Sequence, residues 1–290
     1  AAKPEVCHGE SNVTYTVPAV SGATSYDWEY SGANVTFNAN TTASTNSLSF
    51  AANATSGTLR VRAVGAGGSS PWRDTAITVN TLPTVTSTNT GNQTICAGDS
   101  LLLTAAASSG VSYQWKQGTT NVGTNSATYY AKAAGNYTVT VTNTTTNCSA
   151  ASTPATTLTV TPLPAISISP ATVTICAGES ATLTASGATT YSWSPSGGNS
   201  AAATVSPATT ATYSVTGTTQ GCSTTVSRQI TVNPLPTVTS TNTGSQGICS
   251  GDSLQLTASG TSGVNYQWKQ GTTNVGTGAT YYAKTAGSYT

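Results

Sequence analysis

Apolar and polar side chains alternate one for one along much of this chain. Val13-Thr14-Tyr15-Thr16-Val17, Leu59-Arg60-Val61-Arg62-Ala63-Val64 and Ala76-Ile77-Thr78-Val79 each put apolar groups on one face and Thr or Arg on the other, which is the period of a half-buried strand. The triplet Tyr-x-Trp then recurs as Tyr26-Asp27-Trp28, Tyr113-Gln114-Trp115, Tyr191-Ser192-Trp193 and Tyr266-Gln267-Trp268, behind Cys7, Cys96, Cys176 and Cys249 by 21, 19, 17 and 19 positions. A cysteine, a strand and a tryptophan at a regular interval predict one small β-domain repeated in tandem. Trp28, Trp115, Trp193 and Trp268 are its core anchors.

Four repeats fit this period, over residues 1–81, 82–162, 163–235 and 236–290. Leu82-Pro83, Pro162-Leu163-Pro164 and Pro234-Leu235-Pro236 mark the joints; proline fixes φ and cannot donate to a strand ladder, so short stiff linkers are expected there. Repeats two and four are close copies: Thr84 to Gly91 returns as Thr237 to Gly244, an offset of 153. Thr290 then corresponds to Thr138, in mid-strand, so the fourth repeat is expected to lack its last strand. Either the sequence is a piece of a longer array or another segment completes the domain.

Charged residues make up 6% of the chain and the net charge is +1, so there is no basic surface for phosphates and nucleic acid is an unexpected partner. No apolar run reaches the roughly eighteen residues of a membrane-spanning helix, and no membrane insertion is expected. Thr, Ser, Asn and Gly must supply the polar surface, and with alternating Val, Leu, Ile and Tyr they favour strands and turns. Six cysteines without CxxC pairs, and one histidine, point to disulfides in an oxidising compartment and away from zinc. An extracellular or cell-surface location follows, and Ala1-Ala2-Lys3-Pro4-Glu5 reads as a linker.

The second repeat reads Cys96-Ala97-Gly98-Asp99-Ser100-Leu101, then Tyr113-x-Trp115, then Ala134-Gly135-Asn136-Tyr137-Thr138-Val139; the third gives Cys176-Ala177-Gly178-Glu179-Ser180, Trp193, Tyr213-Ser214-Val215 and Gly221-Cys222. This resembles the immunoglobulin-like and PKD-like repeats of large surface proteins secreted by Bacteroidetes-type bacteria. The first repeat is the most PKD-like, in Val13-Thr14-Tyr15, Ser21 to Tyr26 and Ser56-Gly57-Thr58-Leu59. The resemblance implies an all-β chain, a tandem array of immunoglobulin-like β-sandwiches, used as stalk, adhesin or spacer.

In an immunoglobulin sandwich the positions of the central disulfide would here be Ala105 and Val139, and Ala185 and Val215. The central bridge is therefore absent, and packing around the tryptophan replaces it. The resemblance places Cys96 and Cys148 at opposite ends of one domain, beyond the roughly 7 Å between Cα atoms that a disulfide spans. Two pairings stay open. One, preferred, staples neighbouring domains through Cys7–Cys148 and Cys96–Cys222; the other closes each repeat on itself through Cys96–Cys148 and Cys176–Cys222 and leaves Cys7 unpaired.

No nucleophile and base are paired in the sequence, so no catalytic residue, metal site or cofactor is expected and the chain is not read as an enzyme. His8 sits beside Cys7 in a turn, and Asp27 and Glu29 flank Trp28 on an outward face without further acids for calcium. Glu10, Asp99, Glu179 and Asp252 recur as Gly-acid-Ser, which suits capping of a turn. Asp74-Thr75-Ala76, Asp99-Ser100-Leu101 and Asp252-Ser253-Leu254 look like the Asp-Ser/Thr-apolar O-glycan sites of the same bacterial group, with Thr75, Ser100 and Ser253 as acceptors. Asn-x-Ser/Thr at Asn12, Asn53 and Asn136 follows from composition. One ring of each pair Tyr129-Tyr130 and Tyr281-Tyr282 should point inward, leaving Tyr130 as a candidate contact for sugars. The reading is an extended surface stalk or filament subunit whose partners are other repeats or further copies end to end, with surface-polysaccharide binding as the alternative.

Overall fold

The computed structural model describes residues 3–38 and 42–290, and among them every regular element is a β-strand. The chain divides into two compact units, Ala1–Pro162 and Leu163–Thr290. Each unit contains two separate hydrophobic cores, and each core is built on one of the four anchor tryptophans.

In repeat one, Glu5–Cys7, Arg73–Asn80, Gly57–Gly65 and Ala23–Tyr30 form one sheet, and Val13–Thr16, Thr45–Phe50 and Val35–Phe37 the other. Repeat two pairs a sheet of Gly91–Cys96, Thr156–Thr161, Gly135–Asn143, Val111–Gln117 and Thr120–Val122 with one of Thr128–Ala131, Leu101–Ala107 and Val85–Ser87. Repeat three repeats the plan with Val173–Cys176, Cys222–Asn233, Ala211–Thr219 and Thr190–Ser194 against Ser167–Ser169, Ala181–Ser186 and Ala202–Val205. These are immunoglobulin-like sandwiches, and the alternation of the sequence predicts which face each strand buries: Gly57–Gly65 hides Leu59, Val61 and Ala63 and turns Arg60 and Arg62 outward.

The tryptophans sit where the pattern puts them. Trp28, Trp115 and Trp193 lie opposite Val61, Val139 and Val215 across antiparallel strand pairs. All four indole N–H groups donate to a backbone carbonyl of the following loop: Ala43, Ser126, Ser200 and Gly278, at 2.8 to 3.1 Å. The burial of the large ring therefore leaves no orphaned donor. Ala105, Val139, Ala185 and Val215 are all buried, so an apolar core does occupy the place of a central disulfide.

Of the stretch expected as an N-terminal linker, Ala1 and Ala2 lie outside the described residues. Glu5 is not linker: it opens a strand that runs parallel to Thr78–Asn80. Glu5–Cys7 pairs in parallel with the closing strand, a nonlocal pairing that a segment of three residues does not announce.

Candidate functional site

The cysteines that follow each first strand occupy one local structure. Cys7, Cys96 and Cys176 end strands that pair in parallel with the closing strand of their own repeat, in register with Asn80, Thr161 and Asn233. Thr161 and Asn233 directly precede the proline joints and Asn80 lies two residues before Leu82-Pro83, so each cysteine stands at its domain's exit. A tight turn follows, in which Glu10, Asp99, Glu179 and Asp252 donate their N–H to the carbonyl of the cysteine three residues back, at 3.0 to 3.1 Å. The third residue of that turn needs positive φ, which is why it is Gly9, Gly98, Gly178 and Gly251, with φ of 79°, 98°, 91° and 95°.

At two of the four turns, those of Glu10 and Glu179, the acid after the glycine caps the turn as the sequence suggests. Glu10 accepts the N–H of Cys7 at 3.0 Å and Glu179 that of Cys176 at 2.8 Å. Burial opposes ionisation of Glu10, but its contact with the Lys3 ammonium and the bond from Cys7 outweigh it and hold the carboxyl below the usual range. Tyr15, which donates to the Lys3 carbonyl at 3.0 Å, is pushed up to about 12, by burial first and by Glu10 and Tyr30 after it. His8 is tied to Ala54 O through Nε2 at 3.1 Å and is half-buried, a turn residue with a structural bond.

Cys148 sits at the entry end of repeat two. It closes the hairpin between Gly135–Asn143 and Ser149–Ala151, a turn held by Asn143 Oδ1 accepting from Thr145 and Thr146 at 2.9 and 3.0 Å. Thr144 N–H donates to Gly110 O, and Ser108 N–H to Thr84 O, where the chain enters the repeat. Cys148 is fully buried and bonded to Cys7, with Cα atoms 5.6 Å apart and 141 positions between them in sequence. The pairing of Cys96 with Cys148 inside repeat two is thereby overturned: Cys148 is taken by the exit of the preceding repeat, which its own exit cysteine cannot reach. Cys176–Cys222 is overturned as well, because Cys222 is disulfide-bonded while Cys176 is free and exposed. Cys96 is also disulfide-bonded, and Cys249 is free and exposed.

Tyr129 lies inward, its ring 6.2 Å from that of Trp115 at an interplanar angle of 27°, while Tyr130 is 58% exposed. Ser100 and Ser253 are exposed and Thr75 half-buried. Among the described residues, no group of three or more His, Cys, Asp and Glu could hold a metal ion.

A second cluster escapes the Tyr-x-Trp pattern, because the fifth tryptophan, Trp72, has neither the tyrosine nor the cysteine spacing. Trp72 lies under the guanidinium groups of Arg60 and Arg62, 5.4 and 4.6 Å from its ring centroid. Arg62 Nε donates to Asp27 at 2.8 Å and Arg60 Nη2 to Asp74 at 3.2 Å. Asp27, which the sequence leaves as a solvated acid, is thus one end of a row of stacked and paired groups across the outer face of the sheet. Three of the chain's four arginines, Arg60, Arg62 and Arg73, lie here. The alternation of Arg60 and Arg62 along Gly57–Gly65 was the available signal.

Residues 1–78 match the PKD-like domain family. No curated protein matches the sequence. Among solved structures, the chain is similar to a three-immunoglobulin-domain structure of titin, at 16% identity and a TM-score of 0.36, over 79% of this chain and 95% of that one. It is also similar to the N-terminal eight immunoglobulin domains of Down Syndrome Cell Adhesion Molecule, at 14% identity and a TM-score of 0.32, over 97% of this chain and 43% of that one. The first three domains of the bacteriophage RB49 Highly Immunogenic Outer Capsid protein give 20% identity and a TM-score of 0.29, over 71% of this chain and 86% of that one.

Proposed function

We propose that the chain is a spacing and load-bearing segment of an extracellular protein, a stalk or filament of immunoglobulin-like and PKD-like repeats on the surface of a Bacteroidetes-type bacterium. It carries no catalytic role in this reading. Its partners are its own neighbouring repeats or further copies joined end to end.

One observation carries the proposal. A disulfide joins the exit of repeat one to the entry of repeat two, although Trp28 and Trp115 each anchor a complete core without it. A single peptide linker is a hinge, whereas two covalent ties between the same pair of domains resist bending. Disulfide chemistry is thus applied to the joint and not to domain interiors, as suits a protein whose task is to keep its domains in line. Disulfide-bonded PKD-like and immunoglobulin-like domains are typical of extracellular proteins, where such a bond persists.

The same rule assigns Cys96 to Cys222, across the next joint. Peptide mapping without reduction would show Cys7–Cys148 and Cys96–Cys222 crosslinked peptides. Small-angle scattering of the full chain, before and after reduction, tests the mechanical part: reduction should broaden the distance distribution while far-ultraviolet circular dichroism stays unchanged. An identical distribution in the two states would remove the stiffening role. Intact mass of the natural protein tests O-glycosylation at Thr75, Ser100 and Ser253, and a mass equal to the bare sequence would remove it.

A further inference from the structure

The row of arginines around Trp72 borders a cavity of about 830 Å³ in repeat one. It opens between the segment Val17 to Val20 and the connection Ser70 to Arg73, where Gly57–Gly65 has left its small hairpin strand and has not yet met its next partner at Arg73. This size lies within the range of small-ligand sites. No cysteine lines the cavity, so the site is independent of the stalk reading.

The polar groups of the wall divide into two kinds. Tyr26 hydroxyl already accepts from Val20 N–H at 2.8 Å, and Ser70 hydroxyl accepts from Ala63 N–H at 3.0 Å and donates to Pro71 O at 3.1 Å. The two charged side chains of the wall are Arg62 and Arg73, and no acid lines it. Arg62 spends Nε on Asp27 and keeps its terminal amino groups; Arg73 makes no ion pair among the described residues. The wall thus offers donors, the two guanidinium groups and the Tyr26 O–H, whose natural partner is an acceptor-only anion such as a carboxylate. Arg62 is held between the Asp27 carboxylate and the Trp72 ring, so little side-chain freedom is lost when it is engaged.

The rest of the wall is apolar: Trp72, Pro18 and Val20, with Val20 half exposed at 50%. A ligand must then present an anion and an apolar face together. A pyranose ring does so when it bears a carboxylate, its C–H face lying on the apolar wall and its hydroxyls turned to water. An acidic peptide brings backbone N–H donors for which the wall offers no acidic acceptor. A nucleic acid needs many phosphate contacts for affinity, and two guanidinium groups supply too few.

We propose that this cavity of repeat one binds a uronic acid residue of an acidic polysaccharide, with Arg62 and Arg73 on the carboxylate and Trp72 against the sugar ring. The test is a titration of the full chain with trigalacturonate, followed by tryptophan fluorescence and by the indole N–H resonances. Saturation is expected below about 10 mM, with the Trp72 resonance shifting, and no response to the carboxyl-reduced trisaccharide. Arg73→Gln, an exposed change without a lost ion pair, should weaken binding about tenfold, the worth of a charge-assisted bond. Trp72→Phe should weaken it too, whereas Lys116→Gln, the same loss of charge on repeat two, should leave it unchanged. Absence of saturation, equal binding of the reduced sugar, equal binding by Arg73→Gln, or tighter binding of hexaglutamate would each overturn the assignment.

Discussion

Repeats two and four carry nearly the same amino acids and meet different surroundings. In repeat two, Gly91–Cys96 pairs along its whole length with Thr156–Thr161, and Val111–Gln117 pairs with Gly135–Asn143 over seven residues. In repeat four the equivalent 244–249 forms no strand, and Gln267–Gln270 pairs with Thr273–Thr277 but reaches the counterpart of Gly135–Asn143 through no more than a Gln270–Tyr289 bridge and the Lys269–Thr290 backbone bonds. Eight residues are buried in the core of the one and four in that of the other. Val85 is half-buried, but its copy Val238 is 66% exposed, and Ile248 is 42% exposed. What survives is local: Trp268 stacks on Tyr281 at 6.3 Å and 27°, almost as Trp115 stacks on Tyr129, and the Cys249 turn keeps its bond to Asp252 N–H. Turn and aromatic pair are properties of the sequence, whereas the strand before the cysteine is a property of its partner.

The largest effect that separates the two repeats should come from the anchors. Trp115→Ala should cost repeat two about 3–5 kcal/mol, the usual range for a buried ring, and Trp268→Ala clearly less, since its core is half as populous. Denaturant melts of the two variants check this, and equal losses would break the comparison.

Next in size is the joint. Replacing Cys7 and Cys148 together by Ala should destabilise repeats one and two by about 2–4 kcal/mol, while amide exchange in repeat four stays as it was. A third experiment tests whether the strand needs its partner: in a chain where residues 139–161 follow Thr290, amide exchange in 244–249 should be about tenfold slower, equivalent to about 1.4 kcal/mol. Unchanged exchange would show that a partner of the kind seen in repeat two does not make 244–249 a strand.

The smallest effect concerns the tyrosines. Tyr137 hydroxyl donates to Ala133 O at 2.8 Å from a buried ring, and Tyr137→Phe should cost about 1 kcal/mol; Tyr289→Phe, on a half-buried ring, should cost less. Burial raises the Tyr137 pKa and Tyr129 adds to it. The folded state thus keeps its phenol proton to higher pH than the unfolded state. Stability from this group is level below the ordinary tyrosine pKa and falls as pH rises through the raised value. Tyr15 should act likewise in repeat one up to about 12. Melts at rising pH, with Tyr137→Phe flattening part of the decline in repeat two, read this out.

Much of the fold was legible in the residues. Alternation marks Val13–Thr16 and Gly57–Gly65 as half-buried strands, and the Tyr-x-Trp triplets mark where each core is pinned. The parallel pairing of Glu5–Cys7 was not legible, since three residues of mixed character become a strand only beside Thr78–Asn80. The first disulfide could be reasoned from which end of a domain each cysteine occupies, but choosing between two pairings needed the position of Cys148. Trp72 went unread because it belongs to no repeat-wide pattern, and its meaning comes from Arg60 and Arg62, ten and more residues earlier on a neighbouring strand.

The bond between Cys7 and Cys148 also reroutes tension. A pull applied along the polypeptide crosses from one cysteine to the other over 5.6 Å between Cα atoms, in place of 141 residue steps that would stretch to roughly 490 Å at about 3.5 Å each. Everything between them hangs as a closed ring off the taut line. The Trp28 core, the Trp72 cavity and most of repeat two can therefore open and refold under strain without lengthening the molecule, and any ligand held in that cavity rides on a part of the protein that carries no force.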